Sequence, residues 1–336
     1  FAGSGKTTLF NALTGQEARV GFGGGKVNLG VIKVPDSRVD RLAAIDDPKK
    51  TTYAEIAFAD VPGGRGAQSL DPQTLGRIRE MDALVQVVRG FDGGHGAPDP
   101  AGELAAFGAE LILADLQVAE KRVERLRKDR SDPRQLALLE RCVAALEEER
   151  PLADLDLGEE EAASLAGFAF LSRKPLMVVV SQPEEAAADE PPPALTAAAN
   201  ERGLTVMTLS GAIEAEIAAL DPDDQREFLA DLGLEEPASA RFIRRAYAML
   251  RLISFFTRGP DECRAWPLER GSNAVEAARQ IHSDIARGFI RAEVIRFEDF
   301  SRYESEAACR DAGVLRVEGK DYVVEDGDVC HFRFNV

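Results

Sequence analysis

Short apolar runs separated by amphipathic stretches set the rhythm of the first two thirds of this chain. VIKVP at 31–35 is one such run, and Tyr53, Ile56 and Phe58 then mark an extended run that leads to Asp60, where glycines halt it. ALVQVVRGF at 83–91, PLMVVVSQ at 175–182 and LTVMTLS at 204–210 complete the set, and 175–182 reads as a strand buried on both faces. Helical patterns lie between several of these runs. Strands alternating with helices predict an α/β fold, a mostly parallel sheet covered on both faces.

Residues 103 to about 150 break the rhythm. ELAAFGAELILADLQVAEKRVERLRKDR predicts a long amphipathic helix, SDPR a turn, and QLALLERCVAALEEER a second helix with Leu136, Leu139, Val143 and Leu146 as its apolar stripe. Two such helices on a short link predict an antiparallel hairpin projecting from the sheet domain. The polar, proline-rich run at 184–199 reads as a loop ending in a helix. Composition shifts again after LISFFTRGP at 252–260, where a strand, a helix and further short strands split by EGKD and EDGD turns predict a small α+β domain over 259–336.

Composition narrows the class. At 336 residues the chain exceeds one ordinary domain, and a hydrophobic fraction of 45% supplies its cores. No apolar run reaches the roughly 20 residues a bilayer span requires. Cys142, Cys263, Cys309 and Cys330 are scattered without a C-x-x-C pair, which predicts reduced thiols in a cytoplasmic protein and no zinc site. A net charge of −17 and a pI near 4.8 argue against general adhesion to nucleic acid, and no DNA or membrane partner is expected. Charge is nevertheless local: 121–130 packs six basic residues into ten, and Arg241, Arg244, Arg245 and Arg251 recur at helical spacing. Each reads either as a solvated helix face or as an RNA contact.

The chemistry stands at the front of the chain. FAGSGKTTLFNALTG at 1–15 matches the phosphate-loop pattern G-x-x-x-x-G-K-[ST] with Gly5, Lys6 and Thr7 in place, so the pattern's first glycine falls one position ahead of Phe1. A strand of about 5–6 residues is therefore expected ahead of the loop. Gly3 and Gly5 let backbone N–H groups close on phosphate oxygens, and the helix opening near Lys6 turns its positive end to the same place. In this pattern Lys6 reaches the β- and γ-phosphates, and the Thr7 hydroxyl ligates Mg²⁺. In ADVPG at 59–63, Asp60 ends a strand where it can hold a water on Mg²⁺, and the Gly63 N–H can meet a γ-phosphate.

Base recognition is expected from the loop after PLMVVV, Ser181, Gln182, Pro183 and Glu184, with Ser210, Gly211 and Ala212 across the fold. The guanine-reading N-K-x-D is missing. Glu184 retains a carboxylate that can accept from an exocyclic amine such as that of adenine.

GSGKTTLFNALTG, ADVPGG, IREMDALVQVVRGF, AELILADLQVAEKRVERL, IEAEIAAL, FFTRGPDECRAW, IHSDIARGFIRAEVI and GKDYVVEDGDVCHFRFNV together resemble the Obg-like ATPases, the YchF family of translation-factor-class P-loop NTPases. The resemblance runs nearly end to end and is densest in the last eighty residues. It implies a Ras-like P-loop domain over 1–102 and 168–258, an inserted helical hairpin over 103–167, and a C-terminal TGS domain of β-grasp type over 259–336. It also implies an Mg²⁺-dependent NTPase that prefers ATP to GTP, works as a monomer, and associates with ribosomes or ribosomal RNA in translation and stress responses. By motif, the phosphate loop is Gly3, Ser4, Gly5, Lys6, Thr7 and Thr8. The metal ligands are Thr7 and, through water, Asp60, with Gly63 on the γ-phosphate. The family's base motif, which resembles N-V-D-E, falls on Ser181 to Glu184.

Three departures mark a divergent member. Ser181 replaces the family's Asn, Gly64 offers no side chain where the family carries a hydrophobic residue and most GTPases a water-positioning Gln, and GFGGGKVNLG lacks the threonine of a first switch. A slow ATPase switch is the leading expectation. The alternatives are a non-hydrolysing ribosome- or RNA-binding adaptor and, less favoured by the terminal domain and hairpin, a small-molecule kinase.

Overall fold

In the computed structural model the described residues are 3–16, 18, 27–62, 70–93 and 96–335. Contacts divide the chain into two compact units, Phe1–Gly30 with Ala59–Ser239 and Val31–Phe58 with Ala240–Val336. Among the described residues no helix is long and apolar enough to cross a membrane.

The first unit is built on three parallel strands, Leu84–Arg89, Leu176–Ser181 and Thr205–Leu209, hydrogen-bonded in that order. The central strand is buried from Met177 to Ser181, as its uninterrupted apolar run predicts. Val88, Val178 and Val180 pack with Leu104, Leu195 and Ala199 from the helices Pro100–Asp129 and Pro193–Glu201. The expected α/β class is therefore found, with strands and helices alternating along the chain.

The helical hairpin is present. Pro100–Asp129 and Pro133–Glu147 are joined by a turn in which Arg130 and Asp132 take left-handed backbone angles, and the Asp132 side chain accepts from the Gln135 N–H at 2.9 Å. Its core joins Ala119, Val123 and Leu126 to Leu138, Leu139, Cys142, Ala145 and Leu146. Leu136 and Val143, assigned to the stripe by spacing, are only partly buried, because the small side chains of Cys142 and Ala145 let the facing helix settle on that side. At the hairpin's base Asp115 is fully buried and its carboxylate accepts from the N–H groups of Leu171 (2.9 Å) and Ser172 (2.7 Å) and from Arg79 (3.0 Å). Arg79 donates further to the carbonyls of Ala114 and Ala169, so the helix Pro72–Arg79 is tied to the hairpin's long helix and to the segment that follows the insert.

The second unit holds a mixed sheet in the order Arg316–Glu318, Phe289–Arg296, Asp328–Phe334, Leu252–Thr257, Cys263–Glu269 and Thr51–Thr52. The helix Ala274–Ile281 packs Ala274, Ala277 and Ala278 against Phe255, Val294 and Phe332 of that sheet, and Asn273 with Glu276 forms a capping box at its start. Leu252–Thr257 and Cys263–Glu269 pair antiparallel, so Gly259-Pro260, where composition shifts, lies in the connection between two paired strands. The helix Ser37–Asp46 joins this unit through side chains. Arg38 binds Asp36 (2.8 Å) and Asp326 (2.9 Å) and lies over the Phe256 ring, while Arg258 pairs with Asp46. Trp266, partly buried, packs against this core beside Phe255 and donates to the Thr257 hydroxyl at 2.9 Å.

Candidate functional site

Gly3 and Gly5 both adopt positive φ, 76° and 86°, which bends the chain into a tight loop ending at the helix Lys6–Thr14. No side chain caps this helix, and none is needed if its first N–H groups face an anion. Gly5 is demanded by space as well as by φ. A Cβ built there would stand 2.5 Å from Ser181 Oγ and 3.8 Å from the Phe91 ring. The end of the central parallel strand therefore sits directly against the loop. Ser4 is fully buried and has a partner.

The Thr7 hydroxyl donates to Asp60 Oδ2 at 2.8 Å across fifty-three positions of sequence, and Asn28 Nδ2 donates to the same oxygen at 3.2 Å. A hydroxyl from the first turn of a loop helix and a carboxylate from the end of the strand Glu55–Asp60 thus meet beneath the loop. Those are oxygen donors of the type Mg²⁺ takes in phosphate sites. Burial pushes the Lys6 ammonium below the usual lysine range, against the opposing carboxylates of Asp60 and Glu103. A cation partly stripped of water beside two glycines is poised to gain from a polyphosphate.

Behind the loop, Arg89 at the end of its strand donates Nε to Glu103 Oε1 at 2.6 Å, and its backbone N–H donates to Oε2 at 3.0 Å. Gln86 donates to the Glu103 carbonyl at 2.8 Å. This fixes the first turn of the hairpin's long helix against the sheet.

The residues expected to read a base divide into two groups. Ser181 abuts Gly5, and the Gln182 N–H donates to the Leu209 carbonyl at 3.1 Å, holding the ends of two parallel strands together. Ser210 precedes the helix Gly211–Ala219, and a Cβ at Gly211 would stand 3.0 Å from Thr8 Cγ2, so this helix lies on the phosphate-loop helix. Gln182 Oε1 and Ser210 Oγ are buried without a hydrogen-bond partner among the described residues. Buried polar atoms without partners are uncommon and fit a site that a polar ligand completes. Glu184, in contrast, is exposed in a short 3₁₀ turn, Glu184–Ala186, its carboxylate making no hydrogen bond or ion pair among the described residues, and Ala212 is exposed. Gly63, Gly64 and residues 21–26 of the glycine-rich stretch lie outside the described residues.

Asn28, Phe91 and the pair Arg89 and Glu103 went unrecognised as site residues in the sequence. Asn28 carries a polar amide three residues beyond the glycine run, at the start of a strand, which was its only signal.

Comparison with known proteins places this geometry. The family model YchF-GTPase_C, described as "Protein of unknown function (DUF933)", matches residues 252–335. The protein titled "Ribosome-binding ATPase YchF" from Escherichia coli O157:H7 is 40% identical over 351 residues, covering 99% of this chain and 96% of the relative. Its counterpart under the same title from Bacillus subtilis (strain 168) is 36% identical over 356 residues with the same coverage. The solved structure titled "Structure of the Schizosaccharomyces pombe YchF GTPase" superposes with a TM-score of 0.87 at 28% identity, covering 98% of this chain and 94% of that one. A relative of that identity aligned along nearly its whole length leaves one conclusion: the chain belongs to the YchF family.

Proposed function

We propose that this chain is an Mg²⁺-dependent P-loop NTPase that hydrolyses ATP, or GTP, slowly and serves as a monomeric, cytoplasmic switch on the ribosome in translation or stress responses. The observation that carries the reading is the Thr7–Asp60 contact at 2.8 Å beneath a loop whose Gly5 admits no side chain. The bacterial relatives are titled ribosome-binding ATPases, whereas the yeast structure is titled a GTPase, so the choice of base belongs to the test.

The residues present fit a nucleotide. Backbone N–H groups of Gly3 to Thr8 would cradle its phosphates, Lys6 would neutralise charge that develops on the transferred group, and Thr7, with Asp60 through water, would hold the metal. Mg²⁺ held there would neutralise negative charge on the phosphates. Ser181, Gln182 and Ser210 line the base end, supported by the two orphaned polar atoms, with Glu184, Gly211 and Ala212 beside them. Gly63 is assigned to the γ-phosphate by its D-x-x-G position. Turnover is slow because Gly64 has no side chain to orient the attacking water.

The same Gly64, with Ser181, favours a second reading, a nucleotide-holding adaptor that hydrolyses nothing significant. Binding titrations with ATP, GTP and ADP in Mg²⁺, on wild type and Lys6→Ala, test the site: unchanged binding by Lys6→Ala removes the account. Single-turnover hydrolysis with and without ribosomes separates switch from adaptor, equal rates at background supporting the adaptor.

A further inference from the structure

Beneath the phosphate loop, Asp60 Oδ2 takes two donors, the Thr7 hydroxyl at 2.8 Å and Asn28 Nδ2 at 3.2 Å. Thr7 belongs to a motif, and Asn28 does not. It stands half-buried at the first position of the strand Asn28–Lys33, just past the glycine-rich stretch. Across residues 20–30, VGFGGGKVNLG, Asn28 is the one side chain that carries an oxygen, with no Ser, Thr, Asp or Glu among the rest. The side-chain oxygen chemistry that this segment can bring to a metal–phosphate complex is therefore that of Asn28 alone.

The backbone beyond Asn28 is fastened to the helix that carries Thr7. Gln16, two residues past the end of that helix, donates Nε2 to the Leu29 carbonyl at 3.1 Å. Gly30 is buried so closely against it that a Cβ there would stand 2.5 Å from Thr14 Cγ2 and 2.9 Å from Phe10 Cζ. Asn28 thus rides on a strand end whose place is set by the helix Lys6–Thr14 itself. The amide suits that place chemically. A Lys or Arg there would neutralise the carboxylate that a divalent cation needs, and a second Asp or Glu would repel it. An amide N–H orients the carboxylate and leaves its full charge for a metal. Because both donors share Oδ2, neither takes up Oδ1.

We infer that Asn28 is a positioning residue for Mg²⁺: its amide holds the Asp60 carboxylate against the Thr7 hydroxyl, and through that carboxylate it sets how tightly the metal is kept. Groups that orient a metal's carboxylates without touching the ion commonly change its affinity by about 10–100-fold. The role requires the nucleotide site proposed above, and it belongs to a residue that neither the phosphate-loop pattern nor D-x-x-G contains.

The test is calorimetric titration of the full chain with ADP, which cannot be hydrolysed at a γ-phosphate, in excess Mg²⁺ and again in EDTA. Wild type should bind more tightly with the metal. Asn28→Ala should lose about tenfold of that gain while its affinity in EDTA, which also reports a folded site, stays within about twofold of wild type. Asn28→Leu, close in shape but without the amide, should repeat the result. On an Asp60→Asn background Asn28→Ala should cost nothing further, since the amide acts through that carboxylate. Gln16→Ala, which loosens the strand end and leaves the amide in place, should keep the full gain. Mn²⁺ gives a second readout: with ADP present, the free-ion electron paramagnetic resonance signal should show Asn28→Ala holding the ion more weakly by the same factor. An unchanged metal gain in Asn28→Ala and Asn28→Leu, additive losses with Asp60→Asn, or an equal loss in Gln16→Ala each overturns the assignment and leaves the nucleotide site standing. Wild type that binds no ADP, or binds it equally with and without Mg²⁺, overturns the site itself and the role of Asn28 with it.

Discussion

Gly5→Ala isolates how tightly the strand end is pressed against the phosphate loop. Two costs add. An alanine at φ 86° carries left-handed strain of about 1–2 kcal/mol. Its methyl would stand 2.5 Å from Ser181 Oγ, far inside contact distance, and rotating or shifting a short side chain to relieve such overpacking costs about 1–3 kcal/mol. The expected loss is about 2–5 kcal/mol. Ser181→Ala removes the hydroxyl but leaves Cβ at 3.3 Å, so in the double variant the overlap is mostly relieved and the backbone strain persists. The two substitutions should therefore couple by about 1 kcal/mol. Urea unfolding of nucleotide-free protein, comparing midpoints at constant m, reads all four corners of the cycle. If Gly5→Ala proves as stable as wild type, or costs the same with and without the serine hydroxyl, the packing described here is wrong.

Three further outcomes are expected. Thr7→Val and Asp60→Asn should each abolish most of the enhancement that Mg²⁺ gives to nucleotide affinity, about 10–100-fold, in calorimetric titrations with and without the metal; an enhancement equal to wild type contradicts their assignment. Asp115→Ala strands Arg79 and two backbone N–H groups in the interior, and should lower stability by about 3–5 kcal/mol in the same urea experiment. Because burial holds Lys6 below the ordinary lysine pKa of about 10.4, the folded chain binds that proton less firmly than the unfolded chain, and stability gains as pH rises through that alkaline range. A bound polyphosphate reverses the shift, so nucleotide binding there should take up protons, seen as a heat that depends on the buffer's ionisation enthalpy; identical buffer dependence in Lys6→Arg argues against it.

What the sequence disclosed depended on range. The phosphate loop, the central strand at 175–182 and the two hairpin helices are local patterns, written in glycine spacing and apolar periodicity, and each is found within a few residues of its expected place. Asn28 on Asp60 is a contact across thirty-two positions that leaves no periodic trace. The helix Ser37–Asp46 drew no expectation from the sequence, because the partners of Arg38 and Asp46, Asp326 and Arg258, lie more than two hundred positions away. Leu136 and Val143 illustrate the limit within a helix, where period alone leaves the face uncertain by one residue and a partner's shape decides.

Residues 31–58 leave the first unit after the phosphate loop and return just before Asp60. An expression clone that starts at 252, where the family model begins, would therefore omit Thr51 and Thr52 beside Cys263, the arginine over Phe256 and the aspartate that holds Arg258. The C-terminal unit is not a cassette to be lifted from the gene in one stretch; a faithful excision must splice in the piece encoded far upstream.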